Sequence, residues 1–479
     1  MGRPNILWIC SDQQRWDTLG CYGNTWVNTP NIDRLALGGT RFDHCYAQSP
    51  VCTPSRASFL TGRYPRTTRC RQNGQDIPDS EMLVTRLLAD AGYTCGLAGK
   101  LHLSACNPTV TPTMERRISD GYSEFHWSHD SEPIWPTNEY HTWLQAKGAS
   151  RELRPHPECE YISLGPEPQD HQTTWCAEKT IDFVEAQESS PDPWLFSVNI
   201  YDPHHGFDAP ESYLERYMDR LDDIPLPNFI LGELDNKPPL QGHDHEKGHE
   251  RYGLPYKVMS DRDHRFVKAS YWAMCDLIDT QTGRILQALE RTGQAENTLV
   301  IYMSDHGEML GDHGIYLKGP YFYDPAVRVP MIISLPSSIS PRINTDLVEL
   351  TDLAPTLLDA AGLLRYPGMQ GQSLWPVLSD QESVEPATRE DVYCEYYNAM
   401  PWHQNPSAQT TMIRTHTHKL TVDHKNNTGE LYDLNADPYE TYNLWHDSGA
   451  VADKTEMLTR LCNRMAWTVD PLPARTANW

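Results

Sequence analysis

Short apolar runs alternate with segments of helical period along the first two thirds of the chain. That order predicts an α/β domain built on a large mixed, mostly parallel sheet flanked by helices. Candidate strands cover residues 6–10, 195–200 and 299–303. Pro30 suits a first helical turn and Gly38-Gly39 its end, which brackets one helix. Ser80 is placed to cap a second, with Leu83, Leu87, Leu88 and Ala91 on one face and Gly92 as terminator. Residues 93–98 read as a further strand, and a long helix is expected over 266–292, with Tyr271, Cys275, Ile278 and Ile285 at apolar positions.

Residues 104–170 and 205–262 have little periodicity and are rich in Pro, His, Trp and acidic groups. They are expected to be elaborate surface loops, the usual carriers of specificity on such a scaffold. After about Val377 the pattern changes to short strands at 391–397, 411–415, 419–423 and 430–434, then an amphipathic helix near 451–465. The expected division is an N-terminal catalytic domain over 1–376 and a C-terminal α+β subdomain over 377–479, an antiparallel sheet with a packed helix.

The candidate strands end alike. One runs into Ser11-Asp12-Gln13, another into Ser304-Asp305-His306, and a third into Asp202-Pro203-His204-His205. Ligands of open parallel sheets bind beyond the carboxyl ends of the strands, so these groups should converge. Asp12 and Asp305 are then natural ligands for one divalent cation, with Gln13 and His306 beside them. Oxygen-rich coordination favours Ca²⁺, Mg²⁺ or Mn²⁺, and an imidazole widens the choice toward Mn²⁺ or Zn²⁺. The plainer alternative is that each Asp caps a helix.

With 479 residues, 39% hydrophobic and 22% charged, the chain can bury a substantial core. No stretch reaches the roughly 20 apolar residues that cross a bilayer. The formal net charge of −25 argues against nucleic acid and anionic membranes as partners. An anionic substrate must be drawn in by a local positive site. The 12 cysteines show no short-spaced framework, and Cys10, Cys95 and Cys275 sit in apolar patterns, as buried thiols of a reducing compartment would. A cytoplasmic location is expected for the chain as written, periplasmic or secreted if a leader precedes it. Oligomeric state is not legible.

Cys52-Thr53-Pro54-Ser55-Arg56 leads into Ala57 and on to Thr61-Gly62-Arg63. Pro54 suits the first turn of a helix, Thr53 or Ser55 can cap it, and Arg56 lies near any anion at that N-terminus. A packed Cys before an ordinary helix is the bland reading. Together with Gly99-Lys100-Leu101-His102, Asp202-Pro203-His204, Ser304-Asp305-His306-Gly307, Lys318-Gly319 and the terminal 431–444 segment, this stretch resembles the type I (formylglycine-dependent) sulfatases of the alkaline-phosphatase-like superfamily, in family order across most of the chain.

The resemblance implies that a formylglycine-generating or sulfatase-maturing enzyme oxidises Cys52 to formylglycine, whose hydrate is the nucleophile. It implies one divalent metal, calcium with manganese or magnesium as alternatives, held by Asp12, Gln13, modified Cys52, Asp305 and His306. Arg56 would hold the formylglycine, Lys100 and His102 would contact hydrate and sulfate, and His204 and Lys318 would lie by the leaving group. The expected acid–base roles follow: Asp305 takes the proton of the attacking hydroxyl, His204 with Lys318 serves the departing alkoxide, and His102 takes the last proton as sulfate leaves.

Gln13 and His306 depart from the commonest family pattern, where Asp and Asn are usual, and match versions that occur in sulfatase branches and in the related phosphonate monoester hydrolases. Those relatives, however, usually replace the Lys and His of Gly-Lys-x-His. The expected function is therefore hydrolysis of a sulfate monoester on a sulfated mono- or oligosaccharide, with a phosphonate monoester or phosphodiester hydrolase as alternative. Trp127, Trp135 and Trp143 are candidates to stack on a sugar, and Arg63, Arg66, Arg69 and Arg71 to contact further anionic groups. His205, His243, His245 and His249 have no matching role and read as surface or loop histidines.

Overall fold

A computed structural model describes residues 2–248, 253–379, 389–400, 407–473 and 475–477. Its main sheet uses β1 (Asn5–Ser11), β2 (Thr40–Tyr46), β3 (Thr94–Gly99), β4 (Glu124–Trp127), β5 (Trp194–Asn199), β6 (Thr298–Ser304), β7 (Arg328–Val329), β8 (Met331–Ser334) and β9 (Arg342–Glu349). The strand order is β9-β2-β8-β6-β1-β5-β3-β4, with β7 paired to β2. The run β6-β1-β5-β3-β4 is parallel, and β8 enters antiparallel between β2 and β6. The expected mixed, mainly parallel sheet is present.

The apolar runs are continuous because both faces of the sheet are covered. Ile6, Trp8 and Cys10 of β1 face a layer containing Phe59, Leu60, Leu353 and Leu357. Leu7 and Ile9 face the opposite layer, with Ile32, Trp175, Ile278 and Ile285. The helix Cys52–Thr61 belongs to the first layer, while Gln172–Ala186 and the long helix Asp261–Arg291 belong to the second.

Beyond the main sheet, β10 (Val392–Tyr397), β11 (Gln409–Arg414), β12 (His418–Asp423) and β13 (Thr428–Asp433) form an antiparallel meander. The helix Val451–Trp467 lays Met457 and Leu461 against Tyr393, Ile413, Leu420 and Leu431. Buried charge ties this sheet to the larger layer. Arg389 lies 2.7 Å from Asp352 and 3.1 Å from Glu349, and Lys419 lies 2.7 Å from Asp324.

Several local expectations shift. The helix with Leu87 and Leu88 spans Val84–Asp90, and Ser80 caps nothing there. Glu81 is held by Arg63 at 3.1 Å, and a turn closes from Glu81 N to Pro78 O, which keeps the chain out of helix until Leu83. The long helix starts earlier than expected because Ser260 and Asp263 form a capping box. The two supposed loop regions carry the helices Glu139–Ala146, Glu211–Met218 and Pro239–Lys247.

The aromatic candidates are also redirected. Trp127 and Trp135 are buried, their indole N–H groups donating to Glu115 Oε1 and Thr111 O, and Trp143 packs beside Tyr140 under Lys147. Arg63 bonds Glu81, Asp470 and Gly368 O, and Arg66 pairs with Glu395. These two arginines hold structure together. His249 lies outside the described residues. Among those residues no helix is long and apolar enough to cross a membrane.

Candidate active site

Ser11 of β1 stands opposite Ser304 of β6 in parallel register. The next residue of each strand, Asp12 and Asp305, therefore leaves the sheet beside the other. On the far side of β1, Asn199 of β5 pairs with both Cys10 and Gly99. The chain then continues into Asp202-Pro203-His204 after β5 and into Lys100 after β3. Gly99 has φ of 107°, and a Cβ there would lie 1.9 Å from Asn199 O. Only glycine permits that approach, and it turns Lys100 toward Asp12. Four strand ends thus meet, as the sequence pattern predicts.

The helix Cys52–Thr61 enters this meeting point with its first residue and is buried throughout. Cys52 Sγ lies 3.1 Å from His306 Nε2, 3.1 Å from Lys318 Nζ, and 3.7 Å from both Asp12 Oδ1 and Lys100 Nζ. One turn on, Arg56 donates from Nε to Asp305 Oδ2 (2.9 Å), from Nη2 to Asp12 Oδ2 (3.2 Å), and from Nη1 to Lys100 O (2.9 Å). Lys100 Nζ donates to Asp12 Oδ2 at 2.6 Å.

Lys318 Nζ sits among four acceptors: Gln13 Oε1, Cys52 Sγ, His204 Nε2 at 3.0 Å and His306 Nε2 at 3.3 Å. An ammonium surrounded in this way marks a place built for positive charge. Asp12, Cys52, Asp305 and His306 offer ligand atoms that all lie within 4.8 Å of one another. Two carboxylates, an imidazole and the nearby Gln13 amide fit a divalent cation. The imidazole is oriented for it, since His306 Nδ1 is engaged by Gly307 O at 2.9 Å and Nε2 faces the cluster.

Electrostatics follow the geometry. Burial alone would raise the Asp12 carboxyl, but the cationic groups around it, Lys100 foremost, hold it well below the usual carboxylate range. Burial and Asp12 push the Cys52 thiol up, and Lys100, Lys318 and His306 more than reverse them. Burial, with His205 and Lys318 beside it, pushes His204 well below the ordinary imidazole value. Burial, with Lys100 and His129, does the same to His102. Both imidazoles are therefore neutral at pH 7. Gln13 (φ 67°) and His102 (φ 55°) occupy the left-handed region, at a cost on the order of 1 kcal/mol each that the surrounding bonds must offset.

All ten site residues expected from the sequence line this one locus or its cleft. Others had no sequence signal. Glu308 accepts from Gln13 Nε2, Leu310 N and Leu317 N. Glu115 accepts from the backbone N–H groups of His102 and Leu103, both at 2.9 Å, fixing the Gly-Lys-x-His turn. His129 stacks edge-on against His102 with ring centroids 4.5 Å apart. The Nδ1 atoms of both rings are buried without a hydrogen-bond partner. Both rings line a cleft of about 740 Å³, together with Cys52, Lys100, Lys318, Asn73, Asn107 and Asp130.

Most of the chain is similar to known proteins. Residues 4–363 match the family model described as Sulfatase, and residues 311–466 match that described as N-sulphoglucosamine sulphohydrolase, C-terminal. The chain is 29% identical over 482 residues to the uncharacterized sulfatase YidJ of Escherichia coli (strain K12), covering 100% of this chain and 90% of YidJ. It is 29% identical over 526 residues to the iduronate 2-sulfatase of Mus musculus, covering 93% and 91%. In fold it resembles the phosphonate monoester hydrolase SpPMH from Silicibacter pomeroyi, with a TM-score of 0.84, 24% identity, and coverage of 98% and 96%.

Proposed function

The chain belongs to the sulfatase family and is a hydrolase of the sulfatase and phosphonatase type, and from that premise we propose that it cleaves a sulfate monoester of a small sugar, releasing inorganic sulfate. The observation that carries this reading is the pair of ammonium groups flanking Cys52, Lys100 at 3.7 Å and Lys318 at 3.1 Å, the second in contact with His204 of the cleft. Sulfur in a sulfate ester is poorly electrophilic, so its oxygens must be neutralised by preorganised charge before a nucleophile can approach.

In this reading Cys52 acts as formylglycine, and the metal is calcium, with manganese or magnesium as alternatives. Together the two groups supply a paired-hydroxyl nucleophile and a Lewis acid. The protein's own residues do the rest. Arg56 fixes both carboxylates. Asp305 is the base for the attacking hydroxyl. His204, being neutral, accepts from Lys318, so the proton for the departing oxygen resides on the ammonium of Lys318. Neutral His102 is the base that releases sulfate.

A sugar suits the cleft because its lining offers hydroxyl partners, Asn73, Asn107 and Asp130 among them. The net charge of −25 favours a short ligand over a long polyanion. A maturing enzyme that oxidises Cys52 is the one protein partner this reading requires. A second reading, a phosphonate monoester hydrolase, is favoured by Gln13 and His306.

The test is a paired assay of the matured protein on 4-nitrophenyl sulfate and a phenyl phosphonate ester, followed by sulfate release from a panel of sulfated mono- and disaccharides. Higher kcat/KM on the sulfate ester and release from at least one sugar are expected. Preference for the phosphonate, silence across the sugars, or full turnover by Cys52→Ala rejects the proposal.

A further inference from the structure

Each carboxylate at the strand ends divides its two oxygens between different tasks. Asp12 gives Oδ2 to Arg56 and Lys100 and turns Oδ1 to Cys52 Sγ at 3.7 Å. Asp305 gives Oδ2 to Arg56, while its Oδ1 accepts from Gln13 N at 3.0 Å and His306 N at 2.9 Å and lies 3.7 Å from His306 Nε2. His306 Nε2 lies 3.1 Å from Cys52 Sγ and 3.9 Å from Asp12 Oδ1. Four atoms, one from each residue, lie within 4.8 Å of one another, and four of their six separations fall between 3.1 and 3.9 Å.

Those separations have a chemical meaning. Atoms bound to zinc at ~2.0–2.3 Å stand about 3.3–3.7 Å apart around a tetrahedron. One thiol sulfur, one imidazole nitrogen and two carboxylate oxygens form a complete four-ligand zinc set. Their supports are already in place: Gly307 O holds the imidazole through Nδ1, Arg56 holds both carboxylates, and the first helical turn holds the thiol. Calcium, which takes six to eight oxygens, gains nothing from a thiolate.

We propose that, before Cys52 is oxidised, Asp12, Cys52, Asp305 and His306 form a tetrahedral site for a thiophilic divalent ion such as Zn²⁺ or Co²⁺. Loss of the sulfur on oxidation turns the site toward oxygen-seeking cations. Binding is a simple exchange: the Cys52 S–H bond breaks, a sulfur–metal bond forms, one proton and the ion's waters go to solvent, and no electrons are transferred. Lys318 must give up its contacts with Cys52 and His306 and keep those with Gln13 and His204. This site belongs to the unoxidised chain, so it does not depend on whether the matured protein prefers sulfate or phosphonate esters.

The experiment titrates Co²⁺ into full-length protein made without a maturing enzyme, with the Cys52 peptide verified as thiol by mass. One Co²⁺ per chain is expected, with a thiolate-to-cobalt charge-transfer band in the near ultraviolet that Zn²⁺ abolishes and excess Ca²⁺ leaves intact. Cys52→Ser, checked for folding by circular dichroism, should lose the band and bind Zn²⁺ at least about tenfold more weakly. Absence of the band in the unoxidised wild-type chain overturns the proposal with no variant needed. Persistence of the band in Cys52→Ser overturns it as well, since another thiol would be the ligand. Lys318→Met removes the competing ammonium and should bind Co²⁺ at least as tightly as wild type; a tenfold loss would count against the assignment.

Discussion

Arg56 spans the two acidic strand ends, its Nε 2.9 Å from Asp305 Oδ2 and its Nη2 3.2 Å from Asp12 Oδ2. All three side chains are buried. Removing one partner of a buried ion pair leaves an uncompensated charge and costs about 3–5 kcal/mol. Arg56→Met should therefore lower the denaturant midpoint strongly and abolish turnover. Arg56→Lys keeps the charge but cannot fork between two carboxylates. It should recover part of the stability and little of the activity, as parallel unfolding and 4-nitrophenyl sulfate assays will read.

Asp324 anchors the C-terminal sheet through Lys419 at 2.7 Å. Burial favours its neutral acid, yet Lys419, Arg414 and Arg328 hold the carboxyl far below its ordinary value. A carboxyl depressed on folding contributes stability above its unfolded value of about 4, and that contribution fades as pH falls toward the folded value. Asp324→Asn should be less stable than wild type by about 3 kcal/mol at neutral pH. The gap should narrow as pH drops below about 4, which denaturant midpoints measured across pH will show. A gap independent of pH would mean that packing, and not charge, is what Asp324 supplies.

The convergence of Asp12 and Asp305 was legible because each follows a Ser at the end of a continuous apolar run, and parallel pairing puts Ser11 opposite Ser304. The position of Arg56 in its helix placed it near an anion at the N-terminus, and the family resemblance placed it beside residue 52; its bonds to both carboxylates were not foreseen. The fates of Arg63 and Trp127 were not legible. Arg63 finds Glu81 and Asp470, and Trp127 finds Glu115, through tertiary contacts that leave no period in the chain. His129 and Glu115 lie in the aperiodic region after residue 104, where no local rule fixes direction. The early start of the long helix was written in Ser260-x-x-Asp263, a capping box whose acidic member is Asp instead of the more usual Glu.

Asp130 lines the cleft, and burial raises its carboxyl to about 6. Its Oδ1 accepts from Glu132 N at 2.9 Å, which sets the direction of the side chain. If it binds a sugar hydroxyl, Asp130→Ala should raise KM for the preferred sulfated sugar about tenfold, the worth of one hydrogen bond of about 1.5 kcal/mol. Turnover of 4-nitrophenyl sulfate, which has no hydroxyl to offer, should be nearly unchanged. An equal loss on both substrates would place Asp130 in the structure of the cleft and not in recognition.

The contact between Lys318 Nζ and His204 Nε2, at 3.0 Å, separates two accounts of leaving-group departure. With His204 held neutral by burial and its cationic neighbours, the ammonium is the proton source and the imidazole orients it. A sugar alkoxide needs that proton, whereas 4-nitrophenolate leaves without help. General-acid assistance is worth roughly 10²–10⁴-fold. Lys318→Ala should therefore slow release from an alkyl sulfate by that order while costing the aryl ester far less. His204→Ala should show the same preference for damage to the alkyl substrate, with a smaller loss because the ammonium remains. Were His204 itself the acid, its loss would be the larger of the two, and kcat on a sulfated sugar measured for both variants decides between them.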